Sequence, residues 1–184
     1  MKKVAKYVKE LEPFRYGLTK VASKKGSSYE YGVIDAKGKE VKIGKYTNYT
    51  YLAENLYTAH DEKKGGRILV DQKGKQLSDE VYQDITRKGD VLLVKRYSAY
   101  GVLDLNLNTL VRVTYVNVYV GYESKVVAVT TADGYALYNV NDLTAPLLET
   151  TTRDIHMTPE SPYITWRDSK LGWFVYDCVN HVTY

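Results

Sequence analysis

The side chains able to do chemistry are few in this chain and stand far apart. There is one cysteine, Cys178, and three histidines, His60, His156 and His181, at spacings that match no zinc-ligand pattern. A single thiol forms no intramolecular disulfide, and a nucleophilic one needs a base beside it in space, so Cys178 reads as a small strand residue. The run Asp104-Leu105-Asn106-Leu107-Asn108 has the oxygen spacing that opens a calcium loop. Thr109 and Tyr115, however, stand where such a loop needs Gly and Glu, so the run reads as a hairpin turn. No nucleophile elbow, phosphate loop or His-Glu-x-x-His pair occurs. A glycosidase needs only two carboxylates, yet the regularly placed acids here have turn positions that account for them, and Asp61-Glu62 reads as a solvated loop pair. The expectations are no catalytic residue, no metal and no cofactor.

The remaining candidate chemistry is charge. Lys37, Lys39, Lys73, Lys75, Arg87 and Lys88 fall in short turns, and Tyr122 is the clearest aromatic among comparable loops. The net charge of +4 is unevenly spread: residues 1–92 hold 19 Lys and Arg against 13 Asp and Glu, residues 93–184 hold 7 against 9. Such a distribution steers towards an anionic partner, although dedicated nucleic-acid domains are usually more basic. Nineteen tyrosines against two Phe and two Trp suit thin half-buried strands, and suit a binding surface equally. Tyr46, Tyr82 and Tyr115 recur at the spacing of the units, with Tyr7 as their partner in the split unit, and are expected to pack between repeats. Tyr16, Tyr51, Tyr57, Tyr97, Tyr119, Tyr122 and Tyr163 do not recur strictly, and exposed members of that group are the better binding candidates.

The elements that must position these residues are repeats. Asp35, Asp71, Asp104, Asn139 and Asp177 are equivalent positions spaced 36, 33, 35 and 38 residues apart. Each follows a Gly-led apolar run of strand character and precedes a Gly-, Asn- or Lys-rich turn. Asp35–Gly38 and Asp71–Gly74 predict tight turns with glycine in the left-handed position. The units fall at about 31–64, 65–99, 100–133, 134–170, and 171–184 joined with 1–30, in one domain of residues 1–184. The last unit is split: residues 7–22 supply the strands that the C-terminus lacks, so the two ends pair and leave no open edge. The predicted fold is all-β, five short antiparallel repeats of about 34 residues in a propeller-like ring closed by N- and C-terminal strands. An open, curved array of hairpins is the rival; such an array needs capping ends, and neither terminus reads as a cap. In a propeller the basic turns of units one and two emerge on one side as a cationic sector. The matching loops of units three and four hold Asn106, Asn108, Asn141, Asp142 and Glu160.

These elements resemble the WG-repeat family of bacterial proteins. The resemblance is carried by Tyr31-Gly32-Val-Ile-Asp35 with Lys37-Gly-Lys39, by Tyr100-Gly101-Val-Leu-Asp104, by Tyr82-Gln-Asp-Ile85 and by Gly17-Leu-Thr-Lys-Val21. Tyr replaces the family's defining Trp, unit four diverges, and prolines before the Tyr step are missing. The resemblance implies a binding or scaffold role and no single catalytic activity. The leading expectation is a non-enzymatic protein–protein interaction module, an adaptor or a small inhibitor, meeting an acidic protein surface through one face. The alternative is a binder of nucleic acid or a small anionic ligand in the basic sector; a glycosidase-like enzyme ranks third. No run approaches the ~18 apolar residues of a membrane span. Met1–Lys6 is charged without an apolar region after it, so the expected location is cytoplasmic. The expected state is a monomer or weak homo-oligomer.

Overall fold

Short runs rich in Val, Ile, Leu, Tyr and Thr, cut every few residues by Gly, Asn and Asp, favour hairpins over helices. The computed structural model describes residues 9–10, 18–41, 49–151, 154–168 and 170–184, and these are almost wholly strand and turn. They form two compact units, Met1–Glu80 and Val81–Tyr184.

The first unit holds two sheets. Sheet one orders β1 (Lys9–Glu10), β2 (Leu18–Lys25), β3 (Ser28–Asp35) and β4 (Glu40–Val41). Sheet two orders β5 (Tyr49–Ala53), β6 (Leu56–Asp61) and β7 (Gly66–Val70), with a single bridge from Val70 to Gln76 where a fourth strand would lie. Leu52, Leu56, Tyr57, Ala59, Ile68, Leu69 and Val70 are buried, and Tyr51 meets Tyr57 edge-on across the ladder at 5.5 Å.

The second unit holds three sheets. Sheet three is β8 (Asp84–Lys88), β9 (Val91–Arg96), β10 (Ala99–Asp104) and β11 (Thr109–Tyr115). Sheet four is β12 (Val118–Val120), β13 (Val126–Thr130), β14 (Tyr135–Asn139) and β15 (Leu148–Thr150). Sheet five is β16 (Ile155–His156), β17 (Tyr163–Asp168), β18 (Gly172–Asp177) and β19 (Val182–Thr183). Sheet four is the middle layer. Val127 and Val129 pack with Val91, Val102 and Val111 of sheet three, while Val126 and Ala128 pack with Ile164, Trp166 and Tyr176 of sheet five. Side chains alternate across a strand, so a strand buried on both faces reads as one apolar run, here Val126-Val-Ala-Val129. Each fully buried Val or Leu contributes about 1.5–3 kcal/mol relative to exposure.

All five sheets are antiparallel meanders of consecutive strands. This corrects the phase of the repeat. The Gly-led strand ending in Asp is the third strand of its sheet, and each predicted unit straddles two sheets: residues 31–64 supply β3 and β4 to one and β5 and β6 to the next. The split unit is corrected with it. Residues 171–184 supply β18 and β19, which ladder with β17, whereas β2 ladders with β1 and β3. A hairpin closed by a few residues has the smallest loop-closure cost, so local pairing wins over pairing the two chain ends.

The equivalent acidic or amide position does one job five times. Asp35 Oδ1 accepts the backbone N–H groups of Lys37 and Lys39, Asp71 Oδ1 those of Lys73 and Lys75, and Asp104 Oδ1 those of Asn106 and Asn108, all at 2.8–2.9 Å. Asn139 takes Asn141 N at 3.0 Å, and Asp177 takes Val179 N and Asn180 N at 2.8 and 3.0 Å. Each caps the turn after a third strand, as short polar side chains do. Gly38 and Gly74 occupy the left-handed region at φ 77° and 80°.

Candidate functional site

The turns that present lysine are rigid. Besides the carboxylate bonds, Asp35 N donates to Lys39 O and Gly38 N to Asp35 O, and Asp71 N and Gly74 N repeat this with Lys75 O and Asp71 O, at 2.8–2.9 Å. Each aspartate is thus engaged with backbone N–H groups rather than with lysine side chains. Lys37, Lys39, Lys73 and Lys75 are exposed, and none has an ion pair among the described residues. All four lie in the first unit, at the third-to-fourth strand connections of its two sheets. That unit carries 17 Lys and Arg against 11 Asp and Glu, and the second carries 9 against 11.

Arg87, Lys88 and Tyr122 belong to the second unit. Arg87 and Lys88 end β8 at a first-to-second strand hairpin. Arg87 Nε donates to Gly89 O at 2.7 Å and Nη2 stands 3.7 Å from Asp90 Oδ1, so its guanidinium holds its own hairpin. Lys88 is exposed. Tyr122 is half-buried against the core between sheets four and five. Its hydroxyl pairs with Glu123, which pushes the phenol above its ordinary range, first by the hydrogen bond and then by the carboxylate's charge. Glu123 is held low by its bonds to Lys125 and Tyr122. Tyr122 is therefore a packed turn residue with a satisfied hydroxyl, not an open stacking platform.

Lys88 borders a cleft of about 610 Å³ that sequence reasoning missed. Tyr100, Asn117, Tyr119, Met157 and Glu160 contribute to its wall. Three neighbouring turns hold it together. Ser124 Oγ donates to Lys88 O at 2.9 Å and accepts Asp90 N at 3.0 Å, tying sheet four to sheet three. Glu123 N donates to Pro159 O at 2.8 Å, tying sheet four to the loop of sheet five. Glu123 and Ser124 both have positive φ, 48° and 59°, and Lys125 N donates to Tyr122 O at 2.9 Å. This is a hairpin turn of the type that favours Asn-Gly, built here from Glu-Ser. The unfavourable backbone is retained because Ser124 is buried and bridges two strands. A Cβ on Gly89, at φ 59°, would stand 2.1 Å from Ser124 Oγ, which is why glycine is required there. Tyr100 carries Lys95 Nζ 5.2 Å from its ring centre, and Tyr119 packs edge-on against Tyr135 at 5.6 Å. The pairing of the Gly89-Asp90 turn with a Ser-containing turn one repeat later becomes visible only in the fold.

The other candidates take plain positions. Asp104 Oδ2 accepts Asn108 Nδ2 at 2.7 Å, so both oxygens of the apparent calcium opening already have donors. Cys178 is buried, and desolvation, then the charge of Asp177, pushes its thiol up to about 11, the opposite of an activated nucleophile. His181 Nδ1 lies 2.9 Å from the Tyr176 hydroxyl, His156 pairs with Asp154 at 3.2 Å, and His60 is exposed on β6. Among the described residues no three His, Cys, Asp or Glu side chains converge as a metal site. Tyr82 is buried and Tyr115 half-buried against the core of sheets three and four. Tyr57 is buried, Tyr51 half-buried, and Tyr97 and Tyr163 exposed; Tyr7, Tyr16 and Tyr46 lie outside the described residues. Among the described residues no helix is long and apolar enough to cross a membrane.

These observations define an all-β repeat protein of small antiparallel meander sheets. Among solved structures it is similar to a protein of propeller type, KlHsv2 with loop 6CD replaced by a Gly-Ser linker. The TM-score is 0.50 at 12% identity, covering 91% of this chain and 62% of that one, so the match spans less than two thirds of the neighbour. Kluyveromyces lactis Hsv2 aligns over 88% of this chain and 71% of its own at 10% identity and a TM-score of 0.34. At such identities the likeness concerns the fold alone. No family model and no curated relative matches the chain.

Proposed function

We propose that the protein is a non-enzymatic interaction module whose lysine-bearing turns recognise an acidic protein surface. The observation that carries this is the pair of identical turns at Asp35–Lys39 and Asp71–Lys75. Each holds two exposed lysines on a backbone fixed by its own aspartate. A turn backbone already fixed need not be ordered on binding, and long-range attraction speeds encounter. A propeller-like succession of the five sheets fits this reading, because first-to-second and third-to-fourth connections leave a meander at the same end. The resemblance to WG repeats supports a binding role in the same way, and an intracellular setting suits a module without disulfides.

The cleft beside Lys88 favours a second reading, a small anionic ligand. Its volume lies in the range of small-molecule sites, and it combines a free ammonium, Asn117 and two tyrosine rings. Capture from native host lysate, with and without nuclease, tests both readings. The wild type is compared with a variant carrying glutamate at positions 37, 39, 73 and 75, and with Lys88→Glu. A protein retained by the wild type, lost in the fourfold variant and indifferent to nuclease supports the module. Retention of nucleic acid alone, or equal capture by all three proteins, overturns it.

A further inference from the structure

Every residue lining the cleft beside Lys88 belongs to the second unit, and the wall holds two opposite charges with no partner. Lys88 comes from the β8–β9 hairpin and Glu160 from the loop between β16 and β17. Both are anchored on one turn. Ser124 Oγ donates to Lys88 O at 2.9 Å, and Glu123 N donates at 2.8 Å to the carbonyl of Pro159, the residue before Glu160. The separation of the two backbones is therefore set by adjacent residues of a single hairpin turn. The charges nevertheless do not meet. Among the described residues, neither the Lys88 ammonium nor the Glu160 carboxylate has an ion pair or a hydrogen bond. Neighbouring charges are already engaged: Arg87 with Gly89 O and Asp90, and Glu123 with Lys125 and Tyr122. Asn117, also in the wall, spends its backbone groups on Thr130 and leaves its side-chain amide without a partner among the described residues. Leu93, Met157 and Tyr100 add apolar surface.

We propose that the cleft binds a zwitterion, an apolar α-amino acid or short peptide with free ammonium and carboxylate groups. This rests on the second reading above in taking the cleft as a ligand site, and it changes the charge of the ligand. A plain anion satisfies Lys88 but meets Glu160 as a like charge, and a plain cation meets Lys88 in the same way. A ligand carrying one charge of each sign satisfies both side chains at once. Asn117 suits either end, since its amide donates to a carboxylate through nitrogen and accepts from an ammonium through oxygen. Two fixed charges of opposite sign also set the direction in which the ligand lies. Leu93, Met157 and the Tyr100 ring then take an apolar side chain, and Met157 adapts to more than one shape. The volume of about 610 Å³ lies within the range of small-molecule sites and holds a dipeptide.

Titration calorimetry of the full chain tests this with four probes: glycyl-phenylalanine, its N-acetyl form, its C-terminal amide, and phenylalanine. The expected result is saturable binding of glycyl-phenylalanine, weakened about tenfold by blocking either end, the effect of one lost charge contact. Glu160→Gln is expected to remove the penalty for acetylation and keep the penalty for the amide, and Lys88→Met to do the converse. Phenylalanine binding more tightly than the dipeptide assigns the site to a free amino acid, and weaker binding assigns it to a peptide. The variant with glutamate at positions 37, 39, 73 and 75 is expected to bind the dipeptide as the wild type does, which separates the cleft from the lysine turns. An acetylated dipeptide that binds as tightly as the free one overturns the zwitterion and leaves the anionic reading standing. Binding indifferent to both cleft variants overturns the proposal, and no saturable binding of any probe overturns it too.

Discussion

Leu107 stands at φ 71°, in the turn position that Gly38 and Gly74 fill in the two preceding repeats. A branched side chain in the left-handed region is strained, and the turn keeps its form because Asp104 N, Asn106 N, Leu107 N and Asn108 N all have acceptors in it. Leu107→Gly is expected to raise stability by up to about 1 kcal/mol, read as a shift in the urea midpoint with unchanged slope. Ser124 shows the reverse economy. Ser124→Ala removes the hydroxyl that joins Lys88 O to Asp90 N and is expected to cost about 1 kcal/mol, since two part-buried hydrogen bonds are lost together. The same change should raise amide exchange at residues 88–90, and unchanged exchange there contradicts the role given to Ser124. The sequence shows Leu107 and Ser124 as ordinary residues. Their significance lies in backbone conformation and in a neighbour more than thirty positions away, neither of which composition or period records.

At the scale of the element, the repeat was legible and its phase was not. The five equivalent Asp or Asn positions cap five third-strand turns, as their spacing implies. A periodic string reads identically in any phase, however, so nothing in it says whether Tyr31–Asp35 opens a sheet or stands third. Leu171–Asp177 looked like the start of an unfinished unit because β16 and β17 were assigned to the unit before. Asp177 allows the capping role to be tested by pH. Its carboxyl is held below the ordinary 3.8 mainly by the Asn180 backbone N–H and side-chain amide, with Val179 N adding to them. Stability from this group is therefore present above the unfolded carboxyl range and lost as pH falls through the lower folded value. Asp177→Asn keeps the acceptor oxygen, as Asn139 does naturally, and is expected to flatten that part of the acid-unfolding profile. Asp177→Ala removes the cap and is expected to destabilise at every pH. Matching acid profiles for wild type and Asp177→Asn would refute the assignment.

For the whole molecule, charge is the property that the sequence conveyed best. The surplus of Lys and Arg falls in the first unit, and the lysine turns that account for part of it are exposed and fixed. The six predicted cations do not form one group within a unit. Four belong to the first unit, and of the two in the second, Arg87 braces its own hairpin while Lys88 faces a cleft. The cleft escaped sequence reasoning because its walls come from three sheets. The lysine turns are the proposed recognition surface. Amide hydrogen exchange of the full chain, alone and with a captured partner, addresses that directly. It is predicted to show partner-dependent protection at residues 36–40 and 72–76, weakening as salt is added. Protection confined to residues 163–184, or to the cleft at 87–90 and 157–160, would contradict it.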